Sequence, residues 1–323
     1  MNRSTAAGLG LVLAAIGLAV WSTLVPEFGS TGALIVGAAG APIGVLLAVQ
    51  GRVGASGRDP RAAVGGGLVG PIVAIASHAF VGAFAYAFFL GFADSGRGLL
   101  EGLRFDPRLQ ELLASPWVVL LMVDMAVVAP LTEEAGKALG AFWFAPPRDR
   151  REAFLAGVSA GTGFGVVENL LYVGLAGAFG GPWQAVVLAR ILGSAVHPLA
   201  SGMVALGVHD GRQGGGMAAL LRGYGAGVGI HALWNGSLVV LTVAATTGES
   251  SGTAQLAQLA FSAVLGAVLG AVLWIRAGRI GPEPAEPAWS RASLAAWILL
   301  CASLLVPVAV VILSFPSFYL GPR

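Results

Sequence analysis

With 323 residues, 56% of them hydrophobic and only 11% charged, and a mean hydropathy of +0.83, the chain is too apolar for a soluble domain of its length and reads as a polytopic membrane protein. A formal net charge of +2, with arginines spread between apolar runs and no aromatic interleaving, excludes a nucleic-acid partner. The 49 glycines follow no three-residue period, so the chain is not collagen-like; they suit helices that pack closely in lipid.

Apolar runs of about 20 residues predict an all-α transmembrane bundle of about nine spans, at 6–25, 31–50, 67–92, 117–145, 152–178, 184–208, 217–245, 255–276 and 292–314. The first run is too long for the core of a cleaved signal peptide and reads as an uncleaved span. The runs are continuous, without the two-residue alternation of a barrel. If the N-terminus is inside, Arg3, Arg52, Arg58, Arg61, Arg148, Arg150, Arg151, Arg212, Arg222, Arg276, Arg279 and Arg291 fall in inside segments. Only Arg97, Arg104, Arg108 and Arg323 fall outside, so the positive-inside rule predicts N-in and C-out. The expected setting is the cell membrane, plasma or inner, with 1–323 as one membrane domain in contact with the bilayer.

Between the third and fourth spans, the outside loop 93–116 offers Asp106 as an N-cap, Pro107 at the first helical position and Leu109, Leu112 and Leu113 on one side. That pattern predicts a short amphipathic helix resting on the outer surface. Residues 277–291 read as a proline-rich cytoplasmic linker. Cys301, the single cysteine, can form no internal disulfide and reads as a packed thiol.

Several ionisable residues fall inside predicted spans: Asp124, Glu133, Glu134, Lys137, Glu168, Arg190, His78, His197 and His231. Charges at such depth cost from about 2.5 to well over 10 kcal/mol, so they are rare and usually functional. Counted from the cytoplasmic end of each span, Glu134, Glu168, His197 and His231 lie about 12, 16, 11 and 14 residues in, or roughly 16–24 Å at the helical rise. Four consecutive spans therefore place a polar side chain in one layer. The segment 117–245 that carries them is the expected catalytic core.

In "TEEAGK", Glu133 and Lys137 are spaced i, i+4, which predicts that they pair and leave Glu134 facing a different neighbour. The next span supplies "GTGFGVVENLLY", with Phe164, Glu168 and Asn169; the following one has "ARILGSAVHPLASG", where Pro198 loosens the helix at His197 and Arg190 is expected to snorkel outward. In "GIHALWNGS", His231 and Asn235 share a face. Asp124 lies in the outer half of its span, away from this layer, and reads as a helix-packing or proton-path residue; His78 is at a compatible depth but has no polar neighbour in its own helix, and His209 reads as a solvated turn.

The order Glu-Glu-x-x-Lys, Phe-x-x-x-Glu-Asn, His, His-x-x-x-Asn resembles the PrsW family of intramembrane proteases and, more distantly, the CAAX prenyl-protease and bacteriocin-processing group. The CAAX group generally has histidine where Glu168 stands, so the departure favours the PrsW branch. The resemblance implies Glu133 and Glu134 as paired acids, with Glu168, His197 and His231 completing the site and Asn235 in support. It also implies a membrane-anchored protein substrate, of the anti-sigma-factor kind in the founding case.

Hydrolysis in lipid needs a delivered water, a base and donors for the oxyanion. Glu134 is the expected base, with Glu133 held by Lys137. In one version Glu168, His197 and His231 hold Zn²⁺ with a position open for water. In the other no metal is needed, and His231 with Asn235 forms the oxyanion pocket. A proton- or ion-coupled transporter using a Glu/His relay is the alternative reading, and a non-catalytic scaffold a third.

Overall fold

A computed structural model of the chain describes residues 3–24, 31–53, 61–102, 116–144, 146–178, 183–247 and 251–280. Among these residues the fold is helical, without a strand. The helices are α1 (Arg3–Leu24), α2 (Thr31–Val53), α3 (Arg61–Gly102), α4 (Pro116–Val123), α5 (Ala129–Phe144), α6 (Arg150–Ala178), α7 (Trp183–Leu192), α8 (Val196–Asp210), α9 (Gly216–Thr247) and α10 (Ser251–Ile280). A π-helical segment, Asp124–Val128, joins α4 to α5, and a kink at Gly211–Gly215, with non-helical backbone at Gln213 and Gly214, joins α8 to α9.

Among the described residues, four stretches are long and apolar enough to cross a membrane: Arg61–Val81, Arg150–Gly174, Leu188–Val243 and Ala257–Ile280. The third, of 56 residues, doubles back at Gly214 and Gly216, whose φ values of 101° and 58° suit glycine. The two arms pack antiparallel. A Cβ on Gly207 would come within 2.7 Å of the Gly223 Cα, and one on Gly227 within 2.6 Å of the Ala200 carbonyl oxygen, so only glycine permits this approach.

The predicted outside loop begins too early, because α3 continues helically to Gly102. The amphipathic helix expected over 106–113, most of the linker 277–291, the ninth span at 292–314 and Cys301 lie outside the described residues. The predicted span 184–208 is broken, with a turn at Gly193–Ala195 between α7 and α8. Gly193 sits there against the Trp234 ring, and Pro198 supplies no N–H to the turn before it.

Helices α6 and α8 form the centre. Phe154 and Val158 of α6 and Val196, Leu199 and Leu206 of α8 are buried with Leu46 and Val49 of α2, Trp234 of α9 and Leu273 of α10. The start of α6 is capped by Asp149, whose Oδ1 accepts the Glu152 N–H at 2.7 Å, while Glu152 reaches back to the Arg148 N–H at 3.0 Å. At the same end Arg150 donates to Asp210 at 3.0 Å, fastening α6 to α8. These fastenings fix the level at which α6 and α8 present polar residues to each other.

Candidate active site

Helix α5 begins at a proline-induced irregularity. In the π-segment the Ala129 N–H bonds to the Asp124 carbonyl rather than to Met125, and Pro130 has no N–H to offer. The Met125 carbonyl thus loses its helical donor, and Asn235 Nδ2 of α9 takes its place at 3.0 Å. One turn further on, α5 turns Glu133, Glu134 and Lys137 inward, all buried.

Lys137 is fully buried. Its stem lies over Gly70 of α3, where a Cβ would come within 3.2 Å of the Lys137 Cγ, and its Nζ sits 4.2 Å from the Phe164 ring centre. Nζ donates to Glu134 Oε1 at 2.5 Å and to His197 Nδ1 at 3.0 Å. Because an ammonium only donates, His197 Nδ1 accepts, and the imidazole proton lies on Nε2, which donates to Glu168 Oε2 at 2.6 Å.

The same logic assigns His231. Asn235 Nδ2 lies 3.2 Å from His231 Nε2, so Nε2 accepts and Nδ1 donates to Glu134 Oε1 at 3.0 Å. Ser201 Oγ donates to Glu134 Oε2 at 2.8 Å. The His197 and His231 rings meet edge to face, 4.7 Å between centres.

A second cation backs the site. Arg190 Nε donates to Asn169 Oδ1 at 2.8 Å, and its guanidinium also bonds Glu168 Oε2. Asn169 passes the connection on to α2 by donating to the Ala38 carbonyl at 2.8 Å. Arg190 is buried rather than snorkelling, because the break before α8 holds it against α6 instead of lipid.

Glu134, Glu168, His197 and His231 do share one layer, but their partners differ from expectation. Lys137 lies 3.7 Å from Glu133 Oε2, while Glu134, expected to be free, accepts from Lys137, Ser201 and His231. Glu133 Oε2 is the buried carboxylate oxygen without a hydrogen-bond partner among the described residues. It also lies 3.7 Å from His231 Nε2.

That orphaned oxygen bears on metal binding. Glu133, His197 and His231 each offer a donor atom, and the three atoms lie within 4.8 Å of one another. Two imidazoles and a carboxylate suit a catalytic divalent cation with an open position. The acids of the cluster, Glu133, Glu134 and Glu168, outnumber its side-chain cations, Lys137 and Arg190, so a further positive charge is also favoured electrostatically. Glu133 rather than Glu168 completes this set. Glu168 Oε2 is engaged otherwise, accepting from His197 Nε2 at 2.6 Å and from the Arg190 guanidinium.

Of the outlying residues, His78 Nδ1 pairs with Asp124 Oδ1 of another helix at 2.8 Å, and His209, expected in a solvated turn, is buried at the end of α8. Ser201 gave a faint sequence signal, four residues after His197 and so on the same helical face.

A sequence model described as PrsW family intramembrane metalloprotease matches residues 70–269, well over half of the chain and all of the cluster just described. No curated protein and no solved structure matches.

Proposed function

The chain belongs to the PrsW family of intramembrane metalloproteases, and from that premise we propose that Glu133, Glu134, Lys137, Glu168, His197, His231 and Asn235 form its hydrolytic site. The catalytic core is 117–245 within a single membrane domain, seated N-in and C-out in the plasma or inner membrane. The substrate is a membrane-anchored protein, with an anchored regulator of the anti-sigma-factor type the first to test.

The observation that carries the reading is the unpartnered, buried Oε2 of Glu133. A water bound there loses a proton to Oε2 as its oxygen attacks the peptide carbonyl carbon. Glu134 is unsuited to that task, since three donors already engage its oxygens. It anchors the ammonium of Lys137 and the imidazole of His231 instead.

Lys137 has three N–H bonds, of which Glu134 and His197 take two. The third meets the negative charge that develops on the carbonyl oxygen near Glu133. Glu133 then returns its proton to the departing amine as the C–N bond breaks. Arg190 and Asn169 hold Glu168, and through it the His197 ring, so that the layer does not reorganise during the reaction. Asn235 fixes His231 in the tautomer that donates to Glu134.

Alternatively, Glu133, His197 and His231 would hold a divalent cation such as Zn²⁺; Glu133 would then be a ligand instead of the base, the Lys137 and Asn235 hydrogen bonds to the two imidazoles would give way, and the ion would supply Lewis-acid polarisation of the carbonyl and a more acidic water. Metal analysis of protein purified without chelator tests that part: about one equivalent supports it, and active enzyme free of metal removes it. For the hydrolysis itself, cleavage of an anchored test substrate in ¹⁸O water places label in the new carboxylate. Proteoliposomes that show no cleavage of any anchored substrate, but an ion flux dependent on Glu168, would overturn the reading.

A further inference from the structure

Outside the cluster, His78 and Asp124 form a polar pair at a partly exposed, apolar edge of the described residues, with His78 inside the membrane-length stretch Arg61–Val81. His78 Nδ1 lies 2.8 Å from Asp124 Oδ1, with side chains 29% and 19% exposed. Their α3 neighbours Ile75 and Phe80 are 63% and 73% exposed. A polar pair in so apolar a setting is costly to maintain and marks a task.

Asp124 opens the π-segment, and its carbonyl accepts the displaced Ala129 N–H. The next residue, Met125, is gripped from two more helices: Tyr172 of α6 reaches its Sδ at 3.5 Å, and Asn235 of α9 bonds its carbonyl at 3.0 Å. Asn235 in turn sets the His231 ring. A continuous path of hydrogen bonds and two successive peptide units thus runs from His78 to Asp124, Met125, Asn235, His231 and Glu134.

We propose that His78 and Asp124 are positioning residues for hydrolysis: their bond fixes the π-segment, and through the Met125 carbonyl and Asn235 it fixes the imidazole of His231. The proposal rests on the hydrolytic reading above, with His231 in the site. A π-segment is a softer element than an α-helix and is held in register by the contacts around it. Without His78 the segment can shift, and displacements of about 1 Å in a catalytic group cost up to roughly a hundredfold in rate.

The test is a double-mutant cycle on an anchored substrate in liposomes. His78→Ala and Asp124→Ala are each expected to lower kcat about tenfold with KM unchanged within about twofold. His78→Gln, whose amide can still donate to Asp124, restores most of kcat. In an Asn235→Ala background His78→Ala costs nothing further. An unchanged kcat in His78→Ala, or the same fold-loss in both backgrounds, overturns the proposal.

A spectroscopic measurement covers variants too slow to assay. The chain has four histidines, so ¹⁵N-histidine spectra can be assigned by substitution. His78→Ala is expected to move the His231 Nε2 resonance in the same direction as Asn235→Ala does; a resonance unmoved by His78→Ala overturns the proposal. Failure of the hydrolytic reading would appear separately, as the absence of cleavage of any anchored substrate by the unsubstituted protein.

Discussion

Lys137 Nζ stands 2.5 Å from Glu134 Oε1 and 3.7 Å from Glu133 Oε2, so two adjacent glutamates are bound unequally by one cation. The cause is tertiary. Lys137 must also reach His197 Nδ1 on α8, and Glu134 is the carboxylate that Ser201 and His231 approach from the same direction.

Removing the cation should therefore expose this inequality as instability. Lys137→Met leaves Glu134 buried without its main partner and is expected to cost about 3–5 kcal/mol. Adding Glu134→Gln should recover most of that stability without recovering cleavage. Thermal unfolding in a single detergent, compared across the two variants, checks both statements.

Ser201→Ala removes one neutral donor from a buried carboxylate and is expected to destabilise by about 1–3 kcal/mol. Activity should fall but remain measurable, because Lys137 and His231 still hold Glu134 Oε1. Turnover per folded molecule is the measurement.

Arg190→Lys tests the second cation. A lysine cannot bond Asn169 and Glu168 with the planar fork that arginine presents. The variant should lose both stability and most activity even though its charge is unchanged, whereas a residue that merely snorkelled to the surface would tolerate the change.

Glycine substitutions test the packing that brings α6 to α8. A Cβ on Gly161 would overlap the His197 carbonyl oxygen, whereas positions 225 and 229 have nothing within 4 Å. Gly161→Ala should abolish activity by pushing α8 away. Gly225→Ala and Gly229→Ala should be neutral or stabilise by up to about 1 kcal/mol through helix propensity. Unfolding temperature and turnover together separate these outcomes.

The polar layer was legible because depth along a helix is simple arithmetic: Glu134, Glu168, His197 and His231 could be placed at one level from span ends alone. Their pairing was not. The i, i+4 rule describes an isolated helix and favoured Glu133 with Lys137, but residues on α8 and α9 selected Glu134. Arg190 was read as a snorkelling side chain because the sequence does not show that the break at Gly193–Ala195 turns it toward Glu168. The His78–Asp124 pair joins residues 46 apart across a π-segment, and no local pattern signals it. Pro130 was the available clue, since a missing N–H within a predicted helix must free a carbonyl somewhere.

The most direct test of the account compares single-turnover cleavage of an anchored substrate by Glu133→Gln and Glu134→Gln, each normalised to folded protein. With Glu133 as the proton acceptor, Glu133→Gln should slow the chemical step by at least about a thousandfold, and Glu134→Gln, whose carbonyl still accepts from Lys137 and His231 while its amide donates to the Ser201 hydroxyl, should slow it less. A Glu133→Gln enzyme within tenfold of wild type, or one faster than Glu134→Gln, would contradict the assignment.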